Sequence, residues 1–152
     1  MKKINKECGD CTLCCELLPI GEINKPASVL CGDCVLTKGC SIYDKRPQSC
    51  RDFECSYISS DDMEEDLKPI NCNVIFEKVT ETVHLALIHP KDLDAWQAEP
   101  VKNYILGLKA NGISTIISSY TRAPKYTVVA EGRTKEDIWE EAMGVLNKEL
   151  KE

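Results

Sequence analysis

No cysteine follows Cys72 in this 152-residue chain, and histidine occurs only as His84 and His89. No stretch approaches the ~20 consecutive apolar residues that a membrane-spanning helix requires. These absences argue against a helical membrane protein and confine any thiolate-rich site to the front of the chain. Surplus positive charge is missing as well: 19 Lys and Arg stand against 25 Asp and Glu, a net charge of -6. Affinity for phosphate backbones comes from clustered Lys and Arg, so a general polyanion binder is not expected. The opening Met1-Lys2-Lys3-Ile4-Asn5-Lys6-Glu7 is basic but has no apolar run behind it, which argues against a signal peptide and for the cytoplasm. There is no Gly-rich phosphate loop, Gly-x-Ser-x-Gly elbow or His-Glu-x2-His pattern, and no internal repeat. No residue is assigned a catalytic role, and the balance is against an enzyme.

What the chain has is cysteine. Ten are present, nine of them between Cys8 and Cys55. In a reducing compartment such density points to metal ligation or redox chemistry rather than to a disulfide framework. The charge divides unevenly: residues 1–58 carry eight Lys and Arg against eight Asp and Glu, and residues 59–152 carry eleven against seventeen. Thiolates would make the cysteine half the more acidic of the two.

The composition predicts a cysteine-cluster metal-binding module over 1–58, an acidic connector over 59–72 and a small α+β half over 73–152, the whole one compact unit. The module's larger apolar residues are scattered among Gly and Pro, so burial hardly offsets its chain entropy. A structural zinc site, worth an apparent ~10–16 kcal/mol, would dominate that balance. The run from Ser59 to Asp66 reads as a solvated connector or a short helix start; it lacks the spaced Asp, Asn and Gly of a calcium loop. Alternation over 73–80 and 83–89 predicts a hairpin around Glu81-Thr82. Pro100 suits the first turn of a helix carrying Val101, Tyr104, Ile105 and Leu108, ended by Asn111-Gly112. Strands are expected over 113–121 and 126–131. Thr134 with Asp137 marks a last helix whose broad apolar face runs Ile138, Trp139, Ala142, Met143, Leu146, Leu150. The expected class is α+β: an irregular, metal-stapled cysteine module packed beside a small antiparallel sheet with its helices on one face.

The ligand pattern is Cys8-x2-Cys11-x2-Cys14-Cys15, then Cys31-x2-Cys34-x5-Cys40, then Cys50-x4-Cys55. Cys8-x2-Cys11 with Cys31-x2-Cys34 falls within the spacing of a four-cysteine zinc site. Cys8-x2-Cys11-x2-Cys14 also begins a bacterial ferredoxin motif, but Leu18 stands before Pro19 where that motif has its fourth cysteine. A remote ligand such as Cys50 remains chemically adequate. Neighbouring side chains diverge by about 100° on a helix, so Cys14 and Cys15 are not expected to chelate one ion side by side. They face two centres, or one centre and the core. Arg46 and Arg51 flank Cys50 and would offset the charge of a multi-thiolate site. His84 and His89 read as strand residues rather than ligands, and Cys72 as a free or buried thiol outside the site.

Taken together, the Cys-x2-Cys-x2-Cys-Cys opening, the Cys31 pair, Gly39-Cys40-Ser41-Ile42-Tyr43 and Arg46-Pro47-x2-Cys50-Arg51-x-Phe53-x-Cys55 carry a resemblance. Over 8–58 the chain resembles a cysteine-cluster family described as a zinc- or iron-chelating domain, which includes the chelating part of flagellin lysine N-methylase. The resemblance implies bound zinc or iron, a [4Fe-4S] cluster among the forms iron could take, and no established reaction. Three readings follow: a zinc scaffold that serves a protein partner, an iron–sulfur electron carrier or accessory to an enzyme, and, last for want of basic charge, a zinc-ribbon nucleic-acid binder.

Overall fold

Residues 11–27, 29–32, 34–35, 39–41, 45, 47–48, 50, 55–60, 63–120 and 125–151 are described in the computed structural model, apart from the side chains at 35, 39–40 and 146–151. The expected hairpin is present: β3 (Val74–Lys78) and β4 (Val83–Ile88) pair antiparallel from Val74↔Ile88 to Lys78↔His84. The Val83 carbonyl accepts the N–H groups of Val79 and Thr80 at 3.1 and 2.9 Å and closes the turn. Pro100 sits in the first turn of α4 (Glu99–Ala110), where its missing N–H costs nothing. The same helix ends in a Schellman arrangement: Ile113 N–H donates to Leu108 O and Gly112 N–H to Lys109 O, with Gly112 at φ 80°.

Helix α4 carries the chain back along the sheet, so β5 (Ser114–Ser118) enters parallel to β4, from Val83↔Ser114 to Leu87↔Ser118. β6 (Tyr126–Val128) then pairs antiparallel with β5, giving the order β3-β4-β5-β6. The sheet is therefore mixed, not purely antiparallel, and its last two strands are shorter than the alternation suggested.

Helices lie on both faces rather than one. Alternate strand residues point to opposite faces, and here both sets are apolar. Val74, Phe76, Ala86, Ile88 and Ile117 pack against Val101 and Ile105 of α4. On the opposite face, Val83 and Ile116 take Ile138 and Ala142 of α5 (Lys135–Lys151). Beside α5 on that face, Ile75 and Leu87 take Leu13 and Leu17 of α1 (Leu13–Leu17). Each such aliphatic burial is worth about 1.5–3 kcal/mol. The cysteine-bearing α1 is thus seated on the central sheet by the same mechanism as the C-terminal helix.

Helix α5 begins at the predicted capping box: Thr134 N–H donates to Asp137 Oδ2 at 2.9 Å, and Asp137 N–H to Thr134 Oγ1 at 3.2 Å. Its buried face is narrower than expected. Met143 is 43% exposed, and Trp139 is half-buried with its indole N–H donating to Thr127 Oγ1 at 3.0 Å. Leu146 and Leu150 have side chains outside the description.

The acidic connector is anchored rather than merely solvated. Met63 and Leu67 are buried in the core beside Val74 and Phe76, a 3-10 turn covers Glu65–Leu67, and α3 (Pro69–Cys72) ends at Asn73 in the left-handed region, φ 61°. Asp61 and Asp62 lie outside the described residues. Among the described residues no helix is long and apolar enough to cross a membrane.

Candidate metal centre

The site is built outward from α1. Leu13 and Leu17, one turn apart, hold this short helix on the sheet, and the side chains between them are left to point elsewhere. Cys14 packs with Cys11 and, from a segment forty residues on, with Cys55 against the Leu13, Leu17, Ile75 and Leu87 cluster. A cavity of about 20 Å³ opens among Cys11, Cys14, Cys55, Tyr57, Pro69 and Ile75. Cys55 is set there by the start of α2 (Ser56–Ser59), whose Ile58 and Ser59 N–H groups both donate to the Cys55 carbonyl, at 2.9 and 3.2 Å.

Cys15 joins a different group. It packs with Cys50 against Cys31, Cys34 and Ile20. The backbone fixes this meeting: Cys31 N–H donates to the Cys15 carbonyl at 2.9 Å, and Cys34 N–H donates to the Cys31 carbonyl at 3.0 Å. The second bond is a one-turn knuckle that brings residues three apart close together. A two-stranded ribbon continues from it, β1 (Cys34–Val35) pairing with β2 (Gly39–Cys40) so that the Cys40 backbone lies opposite Cys34. Cys50 is turned inward by its N–H bond to the Pro47 carbonyl at 3.0 Å.

Lys25 was not foreseen. It is only 7% exposed, and its ammonium donates to the Leu18 carbonyl and, at 3.3 Å, to the Pro26 carbonyl. A tight turn places it there, with Ile20 and Lys25 bridged by paired backbone bonds and Asn24 in the left-handed region. Burial lowers its pKa below the ordinary value, while the negative potential of Cys31, Cys15, Cys14 and Cys50 opposes that shift. Its partners are backbone carbonyls of a turn, which no residue pattern advertises. Arg46 and Arg51, the cations expected beside Cys50, lie outside the described residues, as does Cys8; so does the side chain of Cys40.

Cys72 packs against the main core, with its thiol close to the carbonyls of Val74 and Leu67 at 3.4 and 3.5 Å. Burial raises its pKa to about 11, with smaller contributions from the potentials of Cys11 and Cys55. Although remote in sequence, it therefore lies within electrostatic reach of the first group. The histidines take other roles. His84 is buried in β4 and lines an open groove with Ser56, Glu77, Lys78 and Tyr104. His89 accepts Lys91 N–H at Nδ1, 3.1 Å, which leaves Nε2 to donate to Glu16 Oε2 at 3.0 Å.

Among the described residues, no group of three or more His, Cys, Asp or Glu side chains is placed to hold a metal ion. The donor chemistry nevertheless fits a thiophilic metal. Cys11, Cys14 and Cys55, from two segments, pack against one apolar cluster, and Cys15, Cys31, Cys34 and Cys50, from three, form or line another, with the buried Lys25 ammonium within the potential of Cys31, Cys15, Cys14 and Cys50. Soft thiolates select zinc or iron–sulfur centres over hard cations. Comparison with protein-family models, with curated proteins and with solved structures finds no match to this chain.

Proposed function

We propose that the protein binds zinc or an iron–sulfur cluster through thiolates of its N-terminal cysteines, as the resemblance to the chelating cysteine-cluster family implies. The observation that carries the reading is convergence: Cys11, Cys14 and Cys55 pack against one apolar cluster, and Cys15 and Cys50 against another that contains Cys31 and Cys34, although Cys11 and Cys55 are 44 positions apart in the chain. Zinc would act there as a structural staple, and a cluster would add one-electron chemistry; both accept thiolate cages. Lys25 would offset part of the negative charge such a cage accumulates.

A strong chelator under reducing conditions tests the reading. Metal removal is expected to raise amide exchange through residues 11–60 while β3, β4 and β5 keep their protection, because most of the apolar contacts of the sheet are made with α4 and α5. Unchanged exchange in the cysteine segments, after verified metal loss, would contradict a stapling role.

A further inference from the structure

We infer that Cys31 and Cys34 form a redox-active pair, which closes to an intramolecular disulfide when the chain meets a peroxide and reopens with a thiol reductant. The inference goes beyond the metal-binding reading and does not require it.

The backbone carries the pairing. Cys34 N–H donates to the Cys31 carbonyl at 3.0 Å and closes a four-residue turn at the entrance to the β1–β2 ribbon. Such a turn holds its end Cα atoms within about 7 Å, and a disulfide spans Cα separations of about 4.4–6.8 Å, so the link forms with little backbone movement. Both side chains enter the same buried cluster: Cys31 and Cys34, 6% and 8% exposed, are its members together with Ile20. Cys15 and Cys50 only line that cluster.

The apolar cover withholds bulky oxidants. Gly32, inside the turn, is exposed and has open space where a Cβ would stand, which leaves the outer side of the turn open to a molecule as small as hydrogen peroxide. The buried Lys25 ammonium lies within the potential of Cys31 foremost, then of Cys15, Cys14 and Cys50. A cation near these sulfurs favours the anionic sulfur that attack on peroxide requires, but the turn is what selects the partner.

The chemistry balances in two steps. One sulfur attacks a peroxide oxygen, the O–O bond breaks, and the departing hydroxide leaves as water with the thiol proton, giving a sulfenic acid. The second sulfur attacks the first, the S–O bond breaks, and a second water leaves with the second thiol proton. Two electrons pass from the sulfurs to peroxide, and a dithiol reductant returns them.

Hydrogen peroxide treatment of the full-length chain as purified, followed by alkylation and peptide mass spectrometry, tests the pairing. Cys31 and Cys34 should be recovered in one peptide that has lost two hydrogens, and dithiothreitol before alkylation should restore both as alkylated thiols. A link from either residue to Cys15, Cys40 or Cys50 instead overturns the inference. Recovery of both as unoxidised thiols, or as sulfinic acids that dithiothreitol does not reverse, overturns it as well. Metal content, measured on the same sample before peroxide is added, decides the metal-binding reading separately.

Discussion

His89 Nε2 and Glu16 Oε2 meet at 3.0 Å, joining the end of β4 to the helix that carries Cys14 and Cys15. Both side chains are largely covered, and the ring is oriented by the Lys91 N–H at its other nitrogen. Hydrogen bonds to charged groups of this kind contribute about 1.5–3 kcal/mol. His89→Ala and Glu16→Gln are each expected to lower stability by about 1–2 kcal/mol in urea unfolding, and the double variant by less than their sum. Additive losses would mean that the two side chains do not act as a pair.

Lys25→Met keeps the stem of the side chain and removes the ammonium that lies beside Cys31 and Cys15. Metal competition against a chromogenic chelator should show affinity weakened roughly 10-fold, the scale on which groups behind the ligands tune a site. Lys25→Arg should recover part of it. Unchanged affinity in Lys25→Met would remove charge compensation from the account.

Cys72 should behave as an inert thiol. Burial raises its pKa from 9.0 to about 11, so the folded state favours the neutral form. The corresponding stability is complete below pH 9 and is lost as pH rises through about 11. Iodoacetamide at pH 8 followed by peptide mass spectrometry should leave Cys72 unmodified in the folded protein. Cys72→Ser should keep its full metal content, whereas Cys50→Ser should bind less metal; equal behaviour of the two variants would show that the cysteines are wrongly divided between ligands and bystander.

Glu141 ties α5 to the β3–β4 turn. Its carboxylate accepts the Thr80 hydroxyl at 2.6 Å and the Thr82 hydroxyl at 2.9 Å, with the Arg133 guanidinium at 3.4 Å. The Thr80 bond above all, helped by Thr82 and Arg133, holds its pKa below the ordinary 4.5, although burial, the second-largest effect, opposes them. The stabilisation is therefore present above about pH 4.5 and is lost as pH falls through the lower folded value. Glu141→Gln should flatten this part of the acid dependence of stability. If the urea midpoints of wild type and variant fall in parallel between pH 5 and 3, the bond does not anchor α5.

How far the chain's own pattern reached can be told from particular residues. Thr134 with Asp137, and Pro100 with Gly112, marked helix ends because caps are local chemistry. The parallel pairing of β4 with β5 was missed although a helix separates the strands, because the hairpins on either side suggested a simple antiparallel run. The adjacent buried pairs Ile75-Phe76 and Ile116-Ile117 were the available signal of a sheet covered on both faces. At the site, the divergence of Cys14 and Cys15 was legible from helical geometry alone. Lys25 was not, since its place depends on a turn whose partners are backbone carbonyls, and neither was the approach of Cys72, which required the fold of the connector.

The most direct test of the central claim is elemental analysis with a visible spectrum on anaerobically purified full-length protein. The account predicts stoichiometric metal: either colourless protein with about one or two zinc ions per chain, or broad visible absorption with iron and acid-labile sulfide. Protein with its sheet intact, no bound zinc or iron, and every cysteine titrating as an accessible thiol after unfolding would contradict it.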